Sequence, residues 1–181
     1  MLKLSKNMGN KIKTSNLFLI GFSGSGKSII GKYLSSKIKY NYIDTDRVIE
    51  NITGEKISSI ISQVGELEFR KIESKVLFEI DYSKKNIIAT GGGTPTITKN
   101  VKLMRNKGSI VWLNASIETV YSRLNNSKEI RPLIGNNVQK ENVKTLFNSR
   151  KKVYEIADTK IDTNKKSIEK IIEEIIDNYE K

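Results

Sequence analysis

One eight-residue segment constrains the fold of this chain more than any other. It runs from Gly21 to Ser28 with the sequence GFSGSGKS, after the apolar residues 17–20 and before a helix-like stretch. Glycines in such a turn let successive backbone N–H groups converge on phosphate oxygens at the positive end of the following helix. Lys27 is then placed to reach the terminal phosphates, and the Ser28 hydroxyl is placed to hold a magnesium ion. The segment is therefore interpreted as a phosphate-binding P-loop.

The composition limits the chemistry that the chain can use. Its 181 residues are enough for one domain with a substantial core. The sequence contains no cysteine and no histidine, which excludes disulfides, thiol nucleophiles and histidine acid–base catalysis. We expect any catalysis to use carboxylates, Lys, Arg, Ser, Thr, Tyr or a metal ion.

The charge and the start of the chain bear on partners and location. The net charge is +12, but the lysines are spread along the whole chain, which favours a solvated surface over a nucleic-acid footprint. No apolar run reaches the length that spans a bilayer, and residues 1–13 form a polar lead-in without a signal core. We predict a flexible lead-in over 1–13, one domain over 14–181, and a cytoplasmic monomer with no nucleic-acid or membrane partner.

Alternating strand and helix patterns predict an α/β fold. We expect a three-layer sandwich with a five-stranded parallel sheet, helices on both faces and ligands at the carboxyl ends of the strands. The predicted strands are 17–20, 42–44, 86–89, 109–113 and 159–162. The predicted helices are 28–37, with Ile29, Ile30, Tyr33 and Leu34 on one side, and 47–53, 57–64, 67–81, 98–106, 116–124, 139–156 and a last helix capped by Ser167. The polar, aperiodic segment 125–137 is predicted to be a mobile lid.

Polar residues follow two of the predicted strands. Asp44 and Asp46 lie at the end of the second strand, at the sheet edge where the P-loop is expected. Carboxylates two residues apart can diverge there, one toward magnesium and the other toward a second substrate. Residues 91–93 are three glycines after the third strand, and they offer bare backbone N–H groups to a ligand.

Arginine is used sparingly, which makes each arginine informative. Only 6 of the 32 basic residues are Arg. A chain that uses Lys by default keeps Arg mainly where a planar, bidentate donor is required. Arg70 has Glu73 three residues later on a predicted helix, Arg131 lies in the predicted lid, and Arg150 lies on the helix that follows. These three are candidates for binding anionic groups, whereas Arg47 and Arg105 are interpreted as surface residues.

The ordered set of motifs resembles the shikimate kinase family from the first strand almost to the C-terminus. The matching segments are the P-loop, Asp44 to Asp46, Gly65-Glu66, Phe69-Arg70 with Glu73, residues 91–93, Arg131-Pro132-Leu133, Arg150 with Tyr154, and residues 161–164. The resemblance implies transfer of the terminal phosphate of ATP to the 3-hydroxyl of shikimate, on the pathway to chorismate and aromatic amino acids. It also implies kinship with nucleoside monophosphate kinases.

The resemblance implies a role for each matched residue. ATP would be bound by Gly24, Ser25, Gly26, Lys27, Ser28, Ile29, Arg123, Arg131 and Asn164. Mg²⁺ would be bound by Ser28 directly and by Asp44 through water. The shikimate-binding residues would be Asp46, Phe69, Arg70, Gly92, Gly93 and Arg150. The catalytic residues would be Lys27, Asp46 and Arg131.

Within that set, several roles are more specific. Arg70 and Arg150 would clamp the shikimate carboxylate, with Glu73 orienting Arg70. Asp46 would accept hydrogen bonds from the ring hydroxyls, either as the base or as a group that positions the hydroxyl. Arg123 would stack on adenine. The chain departs from the family at residues 165–167, where Lys165, Lys166 and Ser167 replace the frequent arginine and proline.

Two other classes of function stay open at this point. Another small-molecule P-loop kinase, such as a gluconate kinase, would share the P-loop but would not predict the paired Arg70 and Arg150 together with the aspartates and the triple glycine. A catalytically silent nucleotide-binding or nucleic-acid-binding relative would be favoured if a phosphate-contacting residue were missing. None is missing from the sequence.

Overall fold

The computed structural model describes residues 16–126 and 139–179. In these two ranges the strands are β1 Asn16–Ile20, β2 Asn41–Asp44, β3 Asn86–Ala89, β4 Ser109–Asn114 and β5 Thr159–Asp162. The α-helices are α1 Lys27–Ile38, α2 Thr45–Thr53, α3 Ile57–Phe78, α4 Thr98–Lys107, α5 Ile117–Asn125, α6 Lys140–Tyr154 and α7 Ile168–Tyr179. The predicted lead-in 1–13 lies outside the described residues, and so does all but the start of the predicted lid.

The five strands form one parallel sheet, as predicted. Their order is β2-β3-β1-β4-β5, and each neighbouring pair is parallel. The register pairs Leu19 with Ala89 and with Val111, while Asp44 pairs with Ala89 from the other side. This register brings the ends of β1, β2 and β3 level, so the P-loop, the aspartates and the glycines 91–93 meet at one edge.

Apolar side chains cover both faces of the sheet, and the central strand β1 is therefore buried along its whole length. Phe18, Ile88 and Trp112 share one cluster with residues of α5 and α6. Leu17, Leu19 and their neighbours share another cluster with α1 and α7. Burial of both faces is typical of a parallel sheet and confirms the predicted three-layer sandwich. No helix within 16–126 or 139–179 is long and apolar enough to cross a membrane.

In helix α1, only two of the four apolar residues predicted to lie on one side are buried. Ile30 and Leu34 are buried, but Ile29 is 55% exposed and Tyr33 is 58% exposed. The helix packs on the sheet through a stripe centred on Ile30, Gly31 and Leu34. Ile29 and Tyr33 each precede a residue of that stripe by one position, about 100° around the helix, and therefore face outward. The four apolar residues lie on one side of the helix, but only the part of that side that faces the sheet is buried.

Helix α3 contains a kink at the break that the sequence predicted between two helices. Gly65 has φ 79° and ψ 165°, and helical conformation resumes directly after it. A positive φ is readily adopted only by glycine, and glycine is a usual cause of helix kinks. The helix ends at Phe78 rather than at the predicted Asp81. The kink separates residues 57–64 from the segment of α3 that carries two predicted substrate-binding residues, Phe69 and Arg70.

Candidate active site

The P-loop connects β1 to α1 at the carboxyl edge of the sheet. Gly21, Gly24 and Gly26 have φ of 144°, 79° and 103°, so the loop adopts backbone angles that side chains disfavour. The Lys27 ammonium lies over the loop and donates to the carbonyls of Gly21 at 2.9 Å and Phe22 at 3.0 Å. The buried Ser25 hydroxyl has no hydrogen-bond partner among the described residues. A buried hydroxyl without a partner is costly, and a phosphate oxygen held by the loop would supply one.

The two predicted magnesium-binding residues are joined by a tyrosine. Oδ1 of Asp44 caps α2 by accepting from the amides of Asp46 at 3.2 Å and Arg47 at 3.4 Å. Oδ2 of Asp44 lies 3.1 Å from the Tyr42 hydroxyl, which lies 3.0 Å from the Ser28 carbonyl. Burial first, and then the Asp44 carboxylate, raise the pKa of the Tyr42 hydroxyl, so it stays a donor. The Asp44 carboxylate and the Ser28 hydroxyl are oxygen groups of the kind that Mg²⁺ prefers. Tyr42 had no role in the sequence analysis.

Arg70 and Arg150 are both buried, and they come together with two glutamates. The Arg70 Nη1 donates to Oε2 of Glu73 at 2.9 Å, while its Nη2 and Nε donate to Oε1 of Glu66 at 2.8 and 3.3 Å. Glu73 is fully buried and also accepts from the Thr94 hydroxyl at 2.8 Å. The Arg150 Nη2 lies 3.7 Å from the same Glu66 oxygen. Arg70 and Arg150, taken with Glu66 and Glu73, are called the clamp below.

Burial and charge act differently on the two arginines of the clamp. Burial lowers the pKa of Arg70, but the carboxylates of Glu73 and Glu66 outweigh it and hold the pKa above its ordinary value. The pKa of Arg150 is lowered, first by burial and then by the neighbouring positive charge of Arg70. Guanidinium groups nevertheless stay charged in proteins, so the clamp holds two buried cations. Guanidinium groups bind planar carboxylates through paired N–H donors.

The glycines 91–93 are packed closely, which explains why side chains are absent there. A Cβ on Gly93 would collide with the Arg70 guanidinium. A Cβ on Gly91 would collide with the Glu73 carboxylate and lie 2.9 Å from Oδ1 of Asp46. Asp46, at the start of α2, therefore lies close to Glu73 of the clamp across Gly91.

Gly92 connects the clamp to the P-loop. A Cβ on Gly92 would lie 3.3 Å from the Ser23 amide, so the two loops are in contact. The Gly92 carbonyl accepts from the Tyr154 hydroxyl at 2.7 Å. Tyr154 lies one turn after Arg150 on α6, and its ring packs against Trp112 with 5.8 Å between ring centres. Tyr154 thus holds the helix that carries Arg150, a role that its four-residue spacing from Arg150 could have suggested.

Arg123 connects the P-loop to the loop that follows β5. It is exposed, and it donates to the Gly24 carbonyl at 3.1 Å and to the Thr163 carbonyl at 3.4 Å. The Asn164 side chain accepts from the Ser116 amide at 2.9 Å and so holds the loop after β5 against the start of α5. Arg123 and Asn164, which were predicted to bind ATP, therefore lie at the P-loop side of the site. The Asn164 carboxamide already forms hydrogen bonds within the protein.

Three predicted site residues contribute less to this geometry. Phe69 is 3% exposed and lies in an apolar cluster, with its ring centre 5.4 Å from the guanidinium carbon of Arg70. Ile29, predicted at the nucleotide, points outward from α1. Arg131 lies outside the described residues. Packing of Phe69 on the substrate ring stays a prediction.

The fold and the site together define a class. A P-loop after β1 of a parallel sheet, with aspartates at the end of β2 and two buried arginines at the same edge, is the arrangement of a P-loop small-molecule kinase. A gluconokinase from Sinorhizobium meliloti matches with a TM-score of 0.61 over 91% of both chains, at 15% identity, and shares this fold.

Closer matches identify the family within that class. A family profile described as Shikimate kinase matches residues 23–180. A shikimate kinase from Sulfurihydrogenibium sp. is 40% identical over 161 residues, which is 89% of this chain and 95% of the relative. A structure of shikimate kinase from Acinetobacter baumannii in complex with shikimate matches with a TM-score of 0.84 and 31% identity, over 90% of this chain and 91% of the other. The chain belongs to the shikimate kinase family.

Proposed function

We propose that the protein transfers the terminal phosphate of ATP to the 3-hydroxyl of shikimate and yields shikimate 3-phosphate and ADP. In the cell this reaction lies on the pathway to chorismate and aromatic amino acids. The observation that carries the proposal is the buried pair Arg70 and Arg150 at the same sheet edge as the P-loop, with Asp46 beside it. A carboxylate-bearing acceptor held there presents its hydroxyl toward the phosphate site.

Charge neutralisation is the main demand of phosphoryl transfer, and the P-loop side supplies it. Backbone amides of the loop, with Ser25, bind the phosphates of ATP. Lys27 carries an ammonium that now contacts the carbonyls of Gly21 and Phe22, within reach of a phosphate in the loop. Arg131 provides the second cation for the transferring group. Arg123 and the loop that contains Asn164 bind the adenosine end.

A magnesium ion fits the oxygen groups beside the P-loop. The Ser28 hydroxyl would bind it directly, and Asp44 would bind it through water. When bound, Mg²⁺ neutralises charge on the phosphates and orients them. Asp44 is held by two backbone amides and by Tyr42, so its carboxylate keeps a fixed direction.

The clamp and the glycines 91–93 form the acceptor side. Arg70 and Arg150 bind the shikimate carboxylate through paired N–H donors. Glu73, which is fully buried, holds Arg70 in that orientation. Asp46 contacts the reacting hydroxyl, and the amides of Gly92 and Gly93 meet a ring hydroxyl. Phe69 provides the apolar wall under the ring.

We further propose that the protein acts as a monomer in the cytoplasm, where ATP and Mg²⁺ are available. The site is assembled from one chain, because residues of α1, α2, α3 and α6 reach a single edge of one sheet. Residues 14–181 would then act as one domain.

An assay of ADP release tests the proposed function directly. We expect turnover with shikimate and Mg²⁺, and little turnover with gluconate or with nucleoside monophosphates. The methyl ester of shikimate, which lacks the carboxylate charge, should be a poor acceptor. Equal ADP release with and without shikimate would refute the proposal.

A further inference from the structure

The two carboxylates of the clamp are held very differently. Glu73 is fully buried, and both of its oxygens are engaged, one by Arg70 at 2.9 Å and the other by Thr94 at 2.8 Å. The Glu66 side chain is 47% exposed, and the contacts described for its carboxylate are to the two arginines of the clamp. Glu73 is therefore fixed in place, whereas Glu66 can move into water at little cost.

A backbone feature aims Glu66 at the clamp. Gly65 immediately before it has φ 79° and ψ 165°, which interrupts α3. A Cβ at Gly65 would meet no atom within 4 Å, so the glycine is required by the conformation and not by lack of space. Glu66 begins the second segment of α3, one turn before Arg70, and reaches toward Arg150 on α6.

Glu66 occupies donors that a substrate carboxylate could use. Nε and Nη2 form one bidentate edge of the Arg70 guanidinium, and both already donate to the same oxygen of Glu66. Arg150 faces that oxygen as well, at 3.7 Å. Two carboxylates already balance the two guanidinium charges of the clamp. A third carboxylate beside these two buried guanidinium groups would leave an excess negative charge, which is unfavourable at low dielectric.

We propose that Glu66 is an internal competitor for the substrate carboxylate. It pairs with Arg70 and Arg150 in the free enzyme and is displaced when the carboxylate of shikimate binds. Glu66 thereby lowers the affinity for acids that cannot displace it and keeps the arginines ordered between turnovers. The inference rests on the proposed function, because it requires an acceptor that carries a carboxylate.

Competition and orientation predict opposite effects of removing Glu66. If Glu66 oriented Arg70 as Glu73 does, its loss would weaken binding of shikimate. If Glu66 competes, its loss leaves the donors of both arginines available, and binding becomes tighter. A half-exposed ion pair contributes little stability, so the protein should remain folded without it.

Titration calorimetry of Glu66→Gln with shikimate tests the proposal. We expect the Kd to fall by about 3- to 10-fold, in keeping with the loss of one partly exposed ion pair and of one like charge. The matched control is Glu68→Gln, since Glu68 lies on the same helix and pairs with the exposed Lys71 at 2.6 Å. It makes the same change in net charge and should leave the Kd unaltered.

A second ligand separates competition for the carboxylate from a general gain in affinity. The carboxamide of shikimate carries no charge, so Glu66→Gln should improve its binding far less than that of the acid. Glu66→Ala should reproduce the tighter binding of the acid, which guards against an effect specific to glutamine. If the parent protein binds shikimate and both Glu66 variants bind it equally or more weakly, the inference about Glu66 is overturned and the proposed function is not. A parent protein that neither binds nor phosphorylates shikimate would overturn the proposed function.

Discussion

The P-loop and the clamp are built in contrasting ways. The P-loop is a run of eight consecutive residues whose glycine angles and amides belong to one turn between β1 and α1. The clamp is assembled from side chains of α3 and α6, and it lies against the backbone of residues 91–93. One side depends on local backbone conformation, and the other depends on long-range packing.

This contrast indicates how each side should respond to mutation. A side chain at the P-loop acts on a ligand and supports little of the core, so its loss should lower turnover while the fold persists. The buried ion pair of Arg70 and Glu73 supports the fold, because a charge left without its partner in the interior is strongly unfavourable. Mutations of Arg70 or Glu73 should therefore change substrate binding and stability together.

The largest effect is expected for Lys27→Ala. In the proposed reaction its ammonium acts on the negative charge of the transferring phosphate, so kcat should fall by roughly 10³-fold or more. The loss of its bonds to the carbonyls of Gly21 and Phe22 should change the melting temperature little. ADP release and thermal melting measure the two quantities. Lys32→Ala, which changes an exposed lysine of the same helix, is the control. Equal turnover by the two variants would show that the P-loop lysine takes no part in catalysis.

Glu73→Gln tests the coupling between the clamp and the fold. Removing one partner of a buried ion pair costs about 3–5 kcal/mol of unfolding free energy, and Glu73 is fully buried against Arg70. Urea denaturation gives this free energy. Glu66→Gln, at a half-exposed site, should cost under about 1 kcal/mol. Similar losses for the two variants would contradict the distinction between a fixed and a displaceable glutamate.

Arg70→Lys and Arg150→Lys test bidentate recognition of the substrate. Each keeps the charge but loses the planar fork, which should cost about 2–5 kcal/mol in binding and raise KM for shikimate steeply. KM for ATP should hardly change. Only Arg70→Lys should also destabilise the fold, since Arg70 is the partner of buried Glu73. Steady-state kinetics and melting curves provide the test, with the exposed Arg105→Lys as control. Tight shikimate binding by both clamp variants would exclude the carboxylate assignment.

The smallest effect is expected for Tyr42→Phe. This change removes one hydroxyl that contacts Asp44 and the Ser28 carbonyl. A net hydrogen bond is worth about 0.5–1.5 kcal/mol, so the Mg²⁺ concentration for half-maximal activity should rise by about 2- to 10-fold. KM for shikimate should stay constant. Tyr33→Phe, on an exposed tyrosine, is the matched control. An unchanged Mg²⁺ dependence would show that Asp44 needs no support from Tyr42.

The sequence alone determined the elements whose causes are local. The P-loop could be predicted because its glycines, lysine and serine act through their own turn and the helix that follows. The strand 86–89 and the strand 159–162 have the predicted bounds, and Ser116 and Ser167 cap their helices as expected. The pairing of Arg70 with Glu73 followed from their three-residue spacing on one helix.

Only the tertiary structure decided which faces and distant residues meet. The outward direction of Ile29 and Tyr33 depends on where the sheet contacts α1, which helical periodicity cannot specify. Glu66 and Arg150 come from different helices, and Tyr154 contacts Gly92 across 62 residues of chain. Backbone conformation is dictated by neighbouring residues, whereas the choice of ion-pair and hydrogen-bond partners is made by packing. The P-loop could therefore be predicted from the sequence, and the contact between Glu66 and Arg150 could not.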